Sequence, residues 1–187
     1  MQVITRKFTV KEYHKMAEFG ILTPEDRVEL IQGEIIAMSP IGLKHAACVN
    51  RLNQLFYKRL GDKIIISIQN PIQLNNYSEP QPDLVLLKPR PDFYENEIPK
   101  SEDIYLLIEV ADSTIKYDQE VKLTLYAQSN IPEVWIINLN HQTLEVYRQP
   151  QGNQYLNQQK DVKRISPLAF SEISLTSHDI LGILPRG

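Results

Sequence analysis

Apolar positions recur with two different periods along this chain. In "LKHAACVNRLNQLFYKRLG", Val49, Leu52, Phe56 and Leu60 repeat at three- and four-residue intervals, which predicts a helix buried along one stripe and stopped at Gly61. "TVKEYHKMAEFG" predicts a shorter helix, because Thr9 and Glu12 have capping-box spacing and Gly20 sits where a C-terminal glycine belongs. "YDQEVKLTLYAQSN" predicts a third, ended by Asn130 and Pro132. "KIIISIQ" is rich in β-branched residues and reads as a strand. "PDLVLLK" and "IYLLIEVA" are further short apolar runs that read as central strands, and "EVWIINL" reads as the next strand. "RVELIQGEIIAMSP" predicts a hairpin turning at Gln32-Gly33 and closed by Pro40. "TLEVYRQ" and "QYLNQ" predict a closing antiparallel pair around Gly152-Asn153. "PRPDFYENEIPKSED" is a polar, Pro-punctuated loop, and "PLAFSEISLTSHDILGIL" has no clear period.

This order predicts an α/β fold in which a mixed central sheet is flanked by helices, with an N-terminal hairpin and C-terminal antiparallel strands. The length of 187 residues, without repeats or linkers, predicts one domain over 1–187. Hydrophobic residues at 42% and charged residues at 23% exclude the disordered class. No window approaches the ~18 apolar residues of a membrane span. The N-terminal "MQVITRKFTV" lacks a signal-peptide core, so the expected location is cytoplasmic. A single cysteine, Cys48, removes any disulfide framework or Cys-rich zinc site. Twenty basic against 23 acidic side chains argue against coating nucleic acid by bulk charge. A local basic face around an acidic centre stays open.

The candidate chemistry lies in two acids on neighbouring strands. Glu109 interrupts the apolar run "IYLLIEVA", and an ionised carboxylate there costs several kcal/mol unless paired. Alternation puts Tyr105, Leu107, Glu109 and Ala111 on one face, and Asp83, Val85 and Leu87 on one face of "PDLVLLK". An antiparallel register with Leu87 opposite Tyr105 brings Asp83 opposite Glu109. Directly opposed residues have Cβ atoms about 4.5–5.5 Å apart, where two carboxylates repel unless a cation sits between them. Mg²⁺ or Mn²⁺ would resolve the conflict, with water and phosphate oxygens completing its shell. The pair therefore points to metal-assisted chemistry on a phosphodiester. Each residue also has a plainer explanation. Pro82-Asp83 suits an ordinary turn, and Glu109 suits an ion pair with Lys122 or an arginine.

Lys122, early in the third predicted helix, can reach back to the end of the Glu109 strand. There it would orient or help deprotonate a water and stabilise charge on the phosphate. The competing explanation is an i,i+4 pair with Asp118. Glu34, on the hairpin face shared with Glu29, Ile31 and Ile36, is a candidate auxiliary acid or a solvated carboxylate. His45 opens the long helix and is either a phosphate or water contact or a surface histidine. His14, His141 and His178 define no metal-ligand spacing, and neither a Gly-rich phosphate loop nor a nucleophile elbow is present.

"QPDLVLL", "LLIEVADST" and "KYDQEVKLTLYAQSNIPEVWIIN", with "ELIQGEIIAMSP" and the nearby His45, resemble a family of bacterial restriction endonuclease-like proteins in the PD-(D/E)xK nuclease superfamily. The similarity runs from about Val28 to the "LEVYR" strand. It implies a restriction-endonuclease-like core and Mg²⁺-dependent (or Mn²⁺-dependent) cleavage of DNA. The motif aspartate falls on Asp83 and the motif acid on Glu109, with the Val110 carbonyl as a further metal ligand by analogy. The usual lysine position falls on Ala111, a departure from the superfamily pattern, and Lys122 is the residue that would supply the charge from the following helix. A duplex offers two strands, so a homodimer would suit this activity. Two rivals stand beside it: a catalytically silent nuclease-fold DNA-binding module, and a sugar hydrolase using the two carboxylates as acid and base.

Overall fold

A computed structural model of the protein describes residues 5–112 and 115–182. Ser113-Thr114 of "LLIEVADST" and the two chain ends lie outside the described residues. Six strands form the central sheet in the order β3-β4-β5-β6-β7-β8. They are β3 (Ile65–Ser67), β4 (Leu84–Leu87), β5 (Ile104–Ala111), β6 (Glu133–Asn138), β7 (Thr143–Gln151) and β8 (Gln154–Gln159). Only β5 and β6 run parallel, joined by a helical crossover, so the sheet is mixed as expected.

Both faces of the sheet are covered, which is why its strands read as nearly continuous apolar runs. On one face lies α2 (Leu43–Leu60), which buries Val49, Leu52, Phe56 and Leu60 against Leu84, Leu86, Leu106, Ile108 and Trp135. The C-terminal β9 (Arg164–Ile165), β10 (Leu175–Thr176) and α5 (Ser177–Leu181) complete that layer. On the other face, Tyr126 and Ala127 pack on Val85, Leu107, Val134 and Ile136. They belong to the crossover, made of α3 (Ile115–Tyr117), a π-helical turn (Asp118–Lys122) and α4 (Leu123–Gln128).

The N-terminal elements match their local signals. Helix α1 (Val10–Glu18) carries the Thr9–Glu12 capping box, and Gly20 takes φ +71° after it. Strands β1 (Val28–Ile31) and β2 (Glu34–Ala37) turn at Gln32 and Gly33, both at positive φ. Gly33 is required twice over, since a Cβ there would lie 2.6 Å from the Lys7 Cβ. The hairpin attaches through the antiparallel bridge Leu30↔Glu79, just before the segment that becomes β4.

Three details depart from the sequence expectations. Strands β4 and β5 hold the predicted register at Leu84↔Ile108, Val85↔Leu107 and Leu86↔Leu106, but Leu87 pairs with Ile104 instead of Tyr105. A bulge at Tyr105 turns that side chain to the α2 face, where it meets Phe170 edge-on at 5.1 Å. The third helix is interrupted by the π turn, with Leu123 N–H bonded to the Asp118 carbonyl. The aperiodic tail contains an ordered helix, capped by a Thr176–Asp179 box and by Gly182 in the left-handed region. None of the described helices is long and apolar enough to cross a membrane.

Candidate active site

The site lies where β4 begins and β5 ends, at one end of the sheet. Asp83 immediately precedes β4, and its position follows from the register that sets Leu84 opposite Ile108. One carboxylate oxygen, Oδ2, accepts the Val110 N–H at 2.8 Å. The other, Oδ1, meets His45 Nε2 at 3.0 Å and Gln69 Nε2 at 3.3 Å. The Asp83 N–H in turn donates to Glu109 Oε2 at 3.4 Å. The two acids named from the sequence are thus brought together.

Glu109 is buried, and burial pushes its carboxyl well above the ordinary carboxylate range, opposed chiefly by the Lys122 ammonium. Its Oε1 accepts from Tyr126 OH at 2.5 Å and from Lys122 Nζ at 3.4 Å. Lys122 turns inward and also pairs with Glu29 Oε1 at 3.1 Å, so one ammonium serves two carboxylates. Burial alone would lower the lysine pKa, but Glu109, Glu29 and Asp118 outweigh it and hold the group above its usual value. Lys122 therefore stays charged.

Glu29 is the acid that sequence reasoning passed over. It sits on β1, buried, and its Oε2 accepts the Gln81 N–H at 3.1 Å. The predicted auxiliary acid, Glu34, lies elsewhere: it is 58% exposed and paired with Lys7 at 2.5 Å. Both share one face of the hairpin, but the Leu30↔Glu79 bridge carries the Glu29 end inward and leaves the Glu34 end at the turn. Tyr126 was also missed, although its i+4 spacing from Lys122 puts it on the same helical face.

His45, in the first turn of α2, reaches this end of the sheet from the opposite layer. Its hydrogen bond to Asp83 raises the imidazole pKa against the opposing effect of burial. These groups line a cavity of about 340 Å³ whose wall also includes Arg27, Gln69, Asp112, Tyr117 and Asp118. Among the described residues, no cluster of three or more His, Cys, Asp or Glu side chains is arranged to hold a metal ion. What the site offers is a pair of adjoining carboxylates, a fixed ammonium and an imidazole facing one solvent-connected cavity.

Comparison with known proteins identifies the family and the fold. The profile of the Uma2 family, described as "Putative restriction endonuclease", matches residues 10–178. The chain belongs to this family. It is also similar to the crystal structure of a "putative nuclease belonging to DUF820" from Anabaena variabilis, with 19% identity and a TM-score of 0.70 over 94% of this chain and 98% of that one. No curated protein matches. The mixed sheet flanked by helices is the restriction-endonuclease-like architecture of the PD-(D/E)xK-like nucleases.

Proposed function

We propose that this Uma2-family chain is a metal-dependent endonuclease that hydrolyses DNA phosphodiester bonds, with Asp83, Glu109 and the Val110 carbonyl holding Mg²⁺ or Mn²⁺. The observation that carries this reading is the meeting of Asp83 and Glu109 on one cavity wall, joined through the Asp83 N–H. The donor set suits a hard divalent ion, because every proposed ligand is an oxygen. The charge balance suits it too: Glu29, Asp83, Glu109, Asp112 and Asp118 line the cavity against Arg27, Lys122 and His45. A strand residue's N–H and C=O lie on the same edge, so the Val110 carbonyl faces the side on which its N–H meets Asp83. Two carboxylates and a carbonyl leave the remaining positions to water and phosphate oxygens, the usual arrangement for Mg²⁺ on phosphate substrates. When bound, such an ion supplies a water of lowered pKa and polarises the scissile phosphate.

The chain's own side chains do the rest. Lys122, kept charged between Glu29 and Glu109, is a poor base and a good fixed cation. It orients the attacking water and offsets charge that develops on the phosphate. Glu29 holds the ammonium in place, and Tyr126 fixes the rotamer of Glu109. His45 orients Asp83 from the α2 side, and its Nδ1 is buried without a hydrogen-bond partner among the described residues. One cavity serves one strand, so cutting both strands of a duplex would use a homodimer.

The test is nicking of supercoiled plasmid with Mg²⁺, with Mn²⁺ and with chelator. Nicking should require the metal and fall by about 10²-fold or more in Asp83→Asn and Glu109→Gln, as expected for loss of a group in the acid–base and metal machinery. If wild type never nicks while both variants bind DNA as it does, the chain is a nuclease-fold binding module. Equal Mg²⁺ binding by wild type and Glu109→Gln in calorimetry would sink the metal assignment itself.

A further inference from the structure

One tyrosine in the cavity wall has no task in this scheme. Tyr117 ends α3 and lines the same cavity as Asp83, Glu109 and Lys122. Its hydroxyl is buried and has no hydrogen-bond partner among the described residues. Buried hydroxyls are normally paired, and an unpaired one disfavours the folded state. Every other buried tyrosine hydroxyl at or near the crossover is satisfied: Tyr126 by Glu109, Tyr147 by Glu145 and Tyr155 by the Ile131 carbonyl.

The backbone accounts for its placement. Tyr117 and Lys122 are five residues apart, which on an unbroken α-helix would set them roughly 140° apart around the axis. The π turn over Asp118–Lys122 widens that stretch, and both side chains reach one cavity. Such turns are frequent at functional sites. The phenol also keeps its proton, since burial and then the neighbouring Glu29 carboxylate push its pKa up to about 12. It is a neutral donor in the wall of a cavity edged with carboxylates, which cannot welcome a second anion without donors to receive it.

We propose that Tyr117 contacts the substrate directly, its hydroxyl donating a hydrogen bond to a non-bridging oxygen of the DNA phosphate seated beside Lys122. This rests on the nuclease reading above, and it adds a substrate-contacting residue to it.

The test is Tyr117→Phe, with Tyr155→Phe as the contrasting variant, in the full chain. Three quantities are measured: thermal midpoint, metal-free affinity for a short duplex by fluorescence anisotropy, and the Mg²⁺-dependent nicking rate. Because the Tyr117 hydroxyl has no internal partner, Tyr117→Phe should melt no lower than wild type yet bind the duplex and nick about tenfold more weakly, the scale of one hydrogen bond to a charged acceptor. Tyr155→Phe should show the reverse, a lower midpoint with affinity and nicking kept. A Tyr117→Phe protein that binds and nicks like wild type overturns the inference and leaves the nuclease reading standing. A lower midpoint in Tyr117→Phe with unchanged affinity also overturns it, because the hydroxyl would then be structural. Wild type that neither binds nor nicks DNA overturns both.

Discussion

At the scale of single residues, the cost of burying Glu109 is met by three donors from two parts of the chain. Tyr126 and Lys122 come from the crossover, and the Asp83 N–H comes from the neighbouring strand. Lys122 is the residue on which most depends, because it neutralises two buried carboxylates at once. Replacing it with Met, which keeps most of the aliphatic volume, leaves Glu29 and Glu109 without their cation. Removing one partner of a buried ion pair costs about 3–5 kcal/mol, and Lys122→Met should lose that much in urea unfolding. Adding Glu29→Gln should return part of the loss, since one of the stranded charges is then gone. A Lys122→Met protein as stable as wild type would mean that the ammonium is not the partner these carboxylates need.

At the scale of elements, local chemistry sets the ends and the irregularities set the site. The Thr9–Glu12 box is legible from four letters of sequence, and it carries a pH signature. Hydrogen bonds from the Thr9 backbone, then from Arg6 and the Thr9 hydroxyl, lower the Glu12 pKa to about 2. A depressed carboxylate contributes stability that is present above its unfolded value of about 4.5 and lost as pH falls toward 2. Protection of the α1 amides, relative to intrinsic exchange at the same pH, should therefore fall across that window while that of the sheet amides is kept. Thr9→Ala should accelerate the same amides at neutral pH by about 1 kcal/mol of local stability. Uniform exchange of helix and sheet at pH 3 would contradict this account. The bulge at Tyr105 and the π turn at Asp118–Lys122 are a different kind of feature. Neither leaves a mark in hydrophobic periodicity, because each inserts one residue without changing the polarity of those around it. They follow from how the finished sheet and crossover pack.

At the scale of the whole molecule, the same division explains what could be read in advance. The layer order, the hairpin turn and the β4–β5 register were legible because alternation and turn chemistry act over a few residues. That register alone brought Asp83 to Glu109, and the end of β5 brought Lys122 within reach. Choosing between Glu29 and Glu34 was beyond it. The hairpin's tilt is set by the bridge to Glu79, some fifty residues away, and no local pattern encodes that contact. Charge is also distributed at this scale. The chain carries a formal −3, so an approaching duplex gains little from the molecule as a whole. The basic groups at or beside the cavity are Arg27, Lys122 and, in the first turn of α2, Lys44. Lys122 is already neutralised by Glu29 and Glu109, so if Arg27 and Lys44 neutralise phosphates, counterion release gives a slope of about −2 for log affinity against log salt, at roughly 0.9 per phosphate. Anisotropy titrations of a short duplex across a range of NaCl concentrations measure that slope. A value several times steeper would require a second basic surface that contacts the duplex away from the cavity, and with it a larger footprint than one Asp83–Glu109 site can hold.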